Sequence, residues 1–240
     1  MVYGILSDIH SNLEALNAVL VFFKSKKVKH YACSGDIVGY GPNPNECTEL
    51  IKTLSPLSIC VGNHDRAVTG LKDLTWFNEY AKKSLVWTSR VLTESNKIYL
   101  SELPKMVTTG GMMIVHGSPR DPLDEYLLIR RQYEENLPHL NTDITLVGHT
   151  HVPFIFGHES TYLLKDSVVL NLEKGKKYII NPGSVGQPRD GNNKASCAIY
   201  DSKNRKFTLY RLEYDISSTQ SKMREHKLPA YLIERLNWGK

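Results

Sequence analysis

Five short apolar runs in this chain each stop at a cluster of acidic, amide or histidine side chains. The runs are Val2–Leu6, His30–Cys33, 58–61, Met112–Val115 and 144–147. The clusters that follow them are Asp8-Ile9-His10, Gly35-Asp36, Gly62-Asn63-His64-Asp65, His116-Gly117 and Gly148-His149-Thr150-His151. Apolar runs of this length, closed by turn residues, read as buried strands. Ligands in open α/β sheets bind beyond the carboxyl ends of strands, where connecting loops converge. The chain therefore folds around several strands whose ends carry metal-type side chains to one place. Five of the nine histidines stand in these clusters; His30, His139, His158 and His226 read as surface or loop residues.

The segments between the runs alternate with them. Ser11 or Asn12 suits an N-cap for a helix through Leu13, Leu16, Val19, Leu20 and Phe23. A Gly/Pro/Asn-rich loop at 39–45 precedes a second helix at 46–54. Strand, loop, helix and strand in this order predict parallel βαβ units. Residues 71–103 read as a helical insertion that Pro104 ends, and 127–136 as another helix. From 154 to 212 the pattern turns to strands, at 154–156, 178–180, 196–200 and 207–212. A polar, helical tail at 216–240 is expected to dock at an edge. No repeat or linker interrupts residues 1–240, so a single domain is the simplest division.

Composition narrows the setting. Hydrophobic residues are 41% and charged residues 23%, an ordinary globular balance, with a formal net charge of +5. No stripe of basic and aromatic residues argues for nucleic acid. No apolar stretch approaches bilayer-spanning length. The N-terminus runs straight into a strand pattern with no signal peptide. The four cysteines, Cys33, Cys47, Cys60 and Cys197, show no CxxC spacing and read as buried reduced thiols. The expected setting is the reducing cytoplasm, with no membrane partner. A homo-oligomer is compatible with the size of the chain.

Taken alone, most clusters have plain structural readings. Asp8 could cap a helix beside an ordinary histidine, and Gly35-Asp36 could be a turn. Gly148-His149-Thr150-His151 is the sharpest piece, because two imidazoles two residues apart can reach a common centre. Order and context decide: all five occur in one chain, each after a strand. The set DxH, GD, GNHD, a lone His and GHTH resembles the signature of the calcineurin-like metallophosphoesterase superfamily. The stretches GDIVGYGPNPNEC, HGSPRDPLDEYL, GHTHVPF and NPGSVGQPRDG resemble its small prokaryotic phosphodiesterase-type branch. The resemblance spans Tyr3 to about Leu212.

That resemblance implies an α/β fold, a four-layer α-β-β-α sandwich of two mixed sheets. It also implies two divalent metal ions. Asp8, His10 and His151 would hold the first, Asn63, His116 and His149 the second, and Asp36 would bridge them. Cations roughly 3.5–4 Å apart repel, so an anionic bridge suits that position. Imidazole, carboxylate and amide ligands suit Mn, Fe, Zn, Co or Ni better than Mg or Ca, with manganese placed first. A metal-bridging hydroxide would attack the phosphorus, and His64 would act as general acid on the leaving alkoxide. Asp65 would either orient His64 or order its loop. No Ser or Cys nucleophile is needed.

Substrate contacts are less constrained. Arg189, Arg66 and Arg120 stand near the motifs, and an arginine fork can clamp a phosphate; Arg189 is preferred. Trp76, Phe77 and Tyr80 could stack on a base, with a core face the leading role for most of them and Tyr80 the chosen contact. Asp36 is followed by Ile37-Val38-Gly39-Tyr40-Gly41, where protein phosphatases of the superfamily carry a GDxVDRG motif. This argues for a small phosphate ester or nucleotide as substrate. The leading expectation is a dinuclear phosphodiesterase. A phosphomonoesterase or a dinucleoside polyphosphate hydrolase would use the same centre. Scaffold members of the superfamily tend to lose ligands or the acid, and this chain keeps all of them.

Overall fold

Alternation along the first strand, β1 (Val2–Leu6), sorts its side chains to two sides: Tyr3 and Ile5 enter one buried cluster and Leu6 another. The same sorting recurs throughout, and it creates a layered molecule. A computed structural model describes residues 1–157 and 161–240; His158 lies outside the described residues. After β1 come α1 (Leu13–Ser25), β2 (His30–Cys33), α2 (Pro44–Lys52), β3 (Leu57–Ile59) and α3 (Asn63–Val68). The next stretch holds α4 (Glu79–Val91), α5 (Glu94–Glu102), β4 (Met106–Thr109), β5 (Met112–Val115), α6 (Arg130–Asn136) and β6 (Ile144–Leu146). Then follow β7 (Phe154–Gly157), β8 (Thr161–Leu163), β9 (Val168–Asn171), β10 (Tyr178–Asn181), β11 (Ala195–Asp201) and β12 (Lys206–Leu212). Helices α7 (Ile216–Glu225) and α8 (Ala230–Glu234) form the tail.

Two mixed six-stranded sheets result, in the orders β3-β2-β1-β11-β12-β9 and β4-β5-β6-β10-β7-β8. Strands β1, β2 and β3 run parallel to one another, as do β5, β6 and β10. The remaining pairings are antiparallel. Ile5, Ala198 and Phe207 of the first sheet share a buried cluster with Ile114, Ile155 and Ile180 of the second, so the sheets pack face to face. The outer face of the first sheet, with Leu6 and Cys197, packs on Leu16, Val19 and Phe23 of α1 and on Leu85 of α4. Val115, Phe154, Phe156 and Ile179 form the outer face of the second sheet and pack on Tyr133 of α6. Each fully buried side chain of this kind contributes about 1.5–3 kcal/mol. The architecture is the four-layer α-β-β-α sandwich.

Several boundaries differ from the sequence reading, for local reasons. Asn12 is the cap of α1, its side chain accepting the Ala15 N–H at 3.1 Å. The 71–103 stretch is two helices rather than one. Thr93 caps α5 through Asn96 N–H, and Asn78 starts α4 by accepting from Tyr80 and Ala81. Residues 71–78 hold only a short 3-10 turn at Leu74–Trp76. Helix α6 begins at Arg130, since Gln132 Oε1 accepts the N–H groups of Leu128 and Ile129. Strand β4 was not foreseen; it pairs with β5 across Gly110-Gly111, both at positive φ. Strands β8 and β9 were also missed, being short and largely exposed at sheet margins. The tail lies on α1, with Thr219 Oγ1 donating to Glu14 Oε2 at 2.9 Å.

Candidate metal centre and its cleft

The carboxyl-end loops of both parallel strand sets meet at one place, and backbone hydrogen bonds tie them together. Ile9 N–H donates to Asp36 O at 2.8 Å, joining the loops after β1 and β2. His149 N–H donates to Asp8 Oδ1 at 3.1 Å, joining the loops after β6 and β1. His64 N–H donates to Asp36 Oδ1 at 2.9 Å, and Gly186 N–H to Asp8 O at 3.0 Å. A Cβ at Gly62 would sit 2.0 Å from Asp36 Oδ1, so only glycine lets the β2 and β3 loops approach this closely. Asp8, His10, Asp36, His149 and His151 all have φ between 49° and 67°. Such backbone costs on the order of 1–3 kcal/mol per residue and persists where surrounding bonds over-determine it.

The side chains so placed are almost wholly buried. Asp8 Oδ1 lies 3.3 Å from His151 Nε2 and 3.9 Å from His10 Nε2. Asp36 Oδ2 lies 3.5 Å from His10 Nε2 and 3.4 Å from His116 Nε2. Asp36 thus stands between two groups, Asp8, His10 and His151 on one side and Asn63 and His116 on the other. His149 adjoins the second group, its ring centroid 4.9 Å from that of His116.

The imidazole tautomers can be assigned from their partners, and they leave a specific deficit. His10 Nδ1 is 3.1 Å from Val38 O, His151 Nδ1 is 2.6 Å from Gln187 O, and His116 Nδ1 is 2.8 Å from Ser34 O. Carbonyl oxygens only accept, so each Nδ1 carries the proton and each neutral ring presents a lone pair at Nε2. Yet His10 Nε2 and His151 Nε2 face each other at 3.0 Å, and His116 Nε2 faces Asn63 Oδ1 at 2.9 Å. Both are contacts between acceptors, of the kind that an intervening cation would satisfy. His149 is wired the other way: Nε2 lies 3.2 Å from Asp124 O, so Nε2 carries the proton and Nδ1 is the acceptor.

Protons are poor candidates for that cation. Burial, then the Arg189 charge, pushes His151 down to about 4. Burial, then His151 and His64, holds His10 well below the ordinary histidine value. Burial, then Asp65 and Asp8, pushes the Asp36 carboxyl well above the usual carboxylate range. Burial alone would raise Asp8 too, but the His151 imidazole beside it, with His116 and Ser7, holds it low. Neutral imidazoles around crowded carboxylates are the donor set of a divalent cation site. The groups Asp8/His10/His151, His10/Asp36/His64 and Asp8/Asp36/His116 each have ligand atoms within 4.8 Å of one another.

His64 packs between His10, Tyr40 and Phe77, at ring centroid distances of 4.8, 4.4 and 5.1 Å. Its buried Nδ1 has no hydrogen-bond partner among the described residues. A Cβ at Gly39, which has φ +92°, would lie 2.4 Å from that atom. Burial, then Arg189, holds His64 well below the ordinary value. Beside this ring opens a cleft of about 280 Å³, bordered by Asn63, His64, His149, Lys72, Trp76 and Tyr126 among others.

Other sequence candidates fall elsewhere. Asp65 does not face the His64 ring: its oxygens accept from Val38 N–H at 3.1 Å and Gly62 N–H at 3.0 Å, stapling two loops. Tyr80 stacks on Tyr231 at 4.8 Å and is not among the cleft residues. Arg66 is not among the cleft residues. Arg120 is bound by Glu125 and Glu135. Arg189 remains at the centre, its guanidinium 5.6 Å from the Tyr40 ring centroid and 3.0 Å from Gln187 Oε1. The supporting loop after β10 was undervalued. Ser184 donates to Asp8 O at 2.7 Å, and Asn181 to Gly148 O at 2.6 Å. The motif NPGSVGQPRDG was the available signal. Lys72 and Tyr126 left no signal of their own.

The fold and centre define a phosphoesterase architecture, and the chain belongs to the calcineurin-like phosphoesterase superfamily, whose family model matches residues 1–205. It is similar to a metallophosphoesterase of Sphaerobacter thermophilus of known crystal structure, with a TM-score of 0.91 and 41% identity, covering 100% of this chain and 99% of that one. It is 45% identical to an uncharacterized protein of Methanocaldococcus jannaschii, over 99% of this chain and 98% of that protein. The phosphodiesterase YfcE of Escherichia coli is 27% identical over 78% of this chain and 80% of its own. No helix among the described residues is long and apolar enough to cross a membrane.

Proposed function

We propose that this protein is a dinuclear, metal-dependent phosphodiesterase acting on a small phosphate ester or nucleotide. The observation that carries this reading is the pair of facing acceptors, His10 Nε2 and His151 Nε2 at 3.0 Å, with both rings committed to carbonyls through Nδ1. Asp8, His10 and His151 would hold one cation, and Asn63, His116 and His149 the other. The place of Asp36 Oδ2, between His10 and His116, suits a shared ligand. Such cations supply Lewis acidity, activating water and offsetting charge on the phosphate. Manganese is the first metal to try, among Mn, Fe, Zn, Co and Ni.

His64 is assigned as the general acid for the leaving oxygen. It borders the cleft, and its Nδ1 is anchored by no carbonyl among the described residues. Its depressed affinity for a proton reflects burial and the Arg189 cation. A phosphate anion entering beside both opposes that depression and favours the protonated ring. Arg189 is placed to meet the same anion. Likeness to a phosphodiesterase, YfcE, supports the diester preference.

The test is a rate assay on metal-stripped protein reconstituted with Mn, Ni, Co, Zn or Mg. It compares bis(p-nitrophenyl) phosphate with p-nitrophenyl phosphate, with Asp36→Asn as control. Metal-dependent cleavage that favours the diester and vanishes in the control is the expected result. A monoester preference would move the assignment to a phosphomonoesterase. Two bound metals with no cleavage of either compound would overturn the hydrolase reading.

A further inference from the structure

The cleft beside His64 has a composition that the phosphate chemistry does not require. Trp76 borders it with 80% of its surface exposed, although tryptophan is normally among the more buried side chains. Phe77 sits below, edge-on to His64 at 5.1 Å between ring centroids. Tyr126 also borders it and packs on His149 at 3.8 Å between ring centroids. Within this aromatic surround stands one charged pair. Lys72 Nζ lies 5.8 Å from the Trp76 ring centroid and 6.0 Å from that of Phe77, and is paired with Asp124 Oδ2 at 2.7 Å.

We infer that this cleft is a nucleobase subsite for the leaving group, with Trp76 as its stacking residue. The inference rests on the phosphodiesterase reading above, since it takes the side of the phosphorus from His64. A group that protonates the leaving oxygen stands next to the leaving group, so whatever the leaving alkoxide carries enters the space His64 borders. That space offers aromatic surface for a flat ring, plus an ammonium and a carboxylate. Purely aliphatic alcohols would leave the aromatic surface unused, and a plain hydrocarbon ring would desolvate the Lys72–Asp124 pair without replacing its hydrogen bonds. A nucleobase has both a stackable face and a polar edge. The volume of about 280 Å³ is of small-ligand size. In the reaction, a water oxygen bonds to phosphorus and the bond from phosphorus to the nucleoside 5′-oxygen breaks. The bonding pair leaves on that oxygen, which takes the proton of His64; the attacking water gives up one proton to solvent, from which His64 is reprotonated, and the products are a free nucleoside and a phosphomonoester.

The experiment compares two diesters that share a primary 5′-alkoxide as leaving oxygen and differ in the attached base, the methyl esters of adenosine 5′-phosphate and of ribose 5-phosphate. Stacking on Trp76 is expected to favour the adenosine ester about ten- to hundredfold in kcat/KM. Trp76→Ala should bring the two values together, and Trp76→Phe should keep part of the difference. Independently, the adenosine ester should quench tryptophan emission of the full protein, and Trp76→Ala should remove that quenching. Equal kcat/KM for both esters in the unmodified protein overturns the subsite, as does a preference that survives in Trp76→Ala. Cleavage of bis(p-nitrophenyl) phosphate with neither ester turned over and no quenching also overturns it, while the hydrolase reading stands. Trp76-dependent quenching without hydrolysis of any ester would support the base subsite and remove the phosphodiesterase assignment instead.

Discussion

The metal-type cluster and the cleft beside it are neighbours built on opposite rules. Asp8, His10, Asp36 and His116 are at most 1% exposed, and backbone groups from several loops fix each of them. Trp76 and Tyr126 are 80% and 44% exposed and stand on segments without strand partners. The first arrangement spends conformational strain and desolvation to hold donors in one geometry, as chemistry at fixed atoms requires. The second keeps surface open, as recognition of a separate molecule requires. The difference teaches that the reaction class and the substrate class are recorded in different kinds of residue.

Substitutions should separate the two regions cleanly. The largest effect is expected at their border: His64→Ala should lower turnover of an alkyl diester by about 10²–10⁴, with metal content unchanged by elemental analysis. The loss should shrink for p-nitrophenyl leaving groups, which need less protonation; an equal loss for both would end the acid assignment. Metal removal comes next. Manganese at a hundred times its dissociation constant should stabilise the fold by about 2.7 kcal/mol per site, a rise in Tm of roughly 5–10 °C by scanning calorimetry. No rise would mean that the acceptor cluster does not bind the ion.

Within the loops that carry the cluster, Asn181 is buried and donates to Gly148 O and Thr150 Oγ1 while accepting from Gly183 N–H. Asn181→Ala should cost about 1–3 kcal/mol in urea unfolding, against less than about 0.5 kcal/mol for Trp76→Ala. Similar costs for both would erase the contrast drawn between the regions. The smallest effect is chemical. Burial pushes the thiols of Cys33, Cys47, Cys60 and Cys197 up, so none should react with a disulfide reagent until the protein unfolds. Rapid reaction of any one in the native protein would contradict its burial.

Much of the cluster was legible because its residues sit at forced positions. A strand that ends in Asp8 or His116 can deliver that side chain only to the loop end of the sheet, so a pattern of apolar runs is already a pattern of places. Asp65 shows where this stops. Its position next to His64 left two roles open, and only the hydrogen bonds to Val38 and Gly62 choose the structural one. Tyr80 and Trp76 show it again. Both belong to one aromatic stretch, but Asn78 caps α4 between them and turns Tyr80 towards Tyr231, leaving Trp76 at the cleft. Strands β8 and β9 escaped because exposed margins lack the apolar alternation that marks a buried face.

By itself, the sequence determined the buried strands and most helices, the family, and which donors stand at the strand ends. These follow from local periodicity and turn chemistry, which act over a few residues. Tertiary structure alone decided the distances between those donors, the tautomers of His10, His116, His149 and His151, and the company Trp76 keeps. His10 and His151 are 141 residues apart in the chain yet 3.0 Å apart in space. No short-range pattern encodes such a contact; it exists only because two sheets pack face to face and bring their loop ends to one edge.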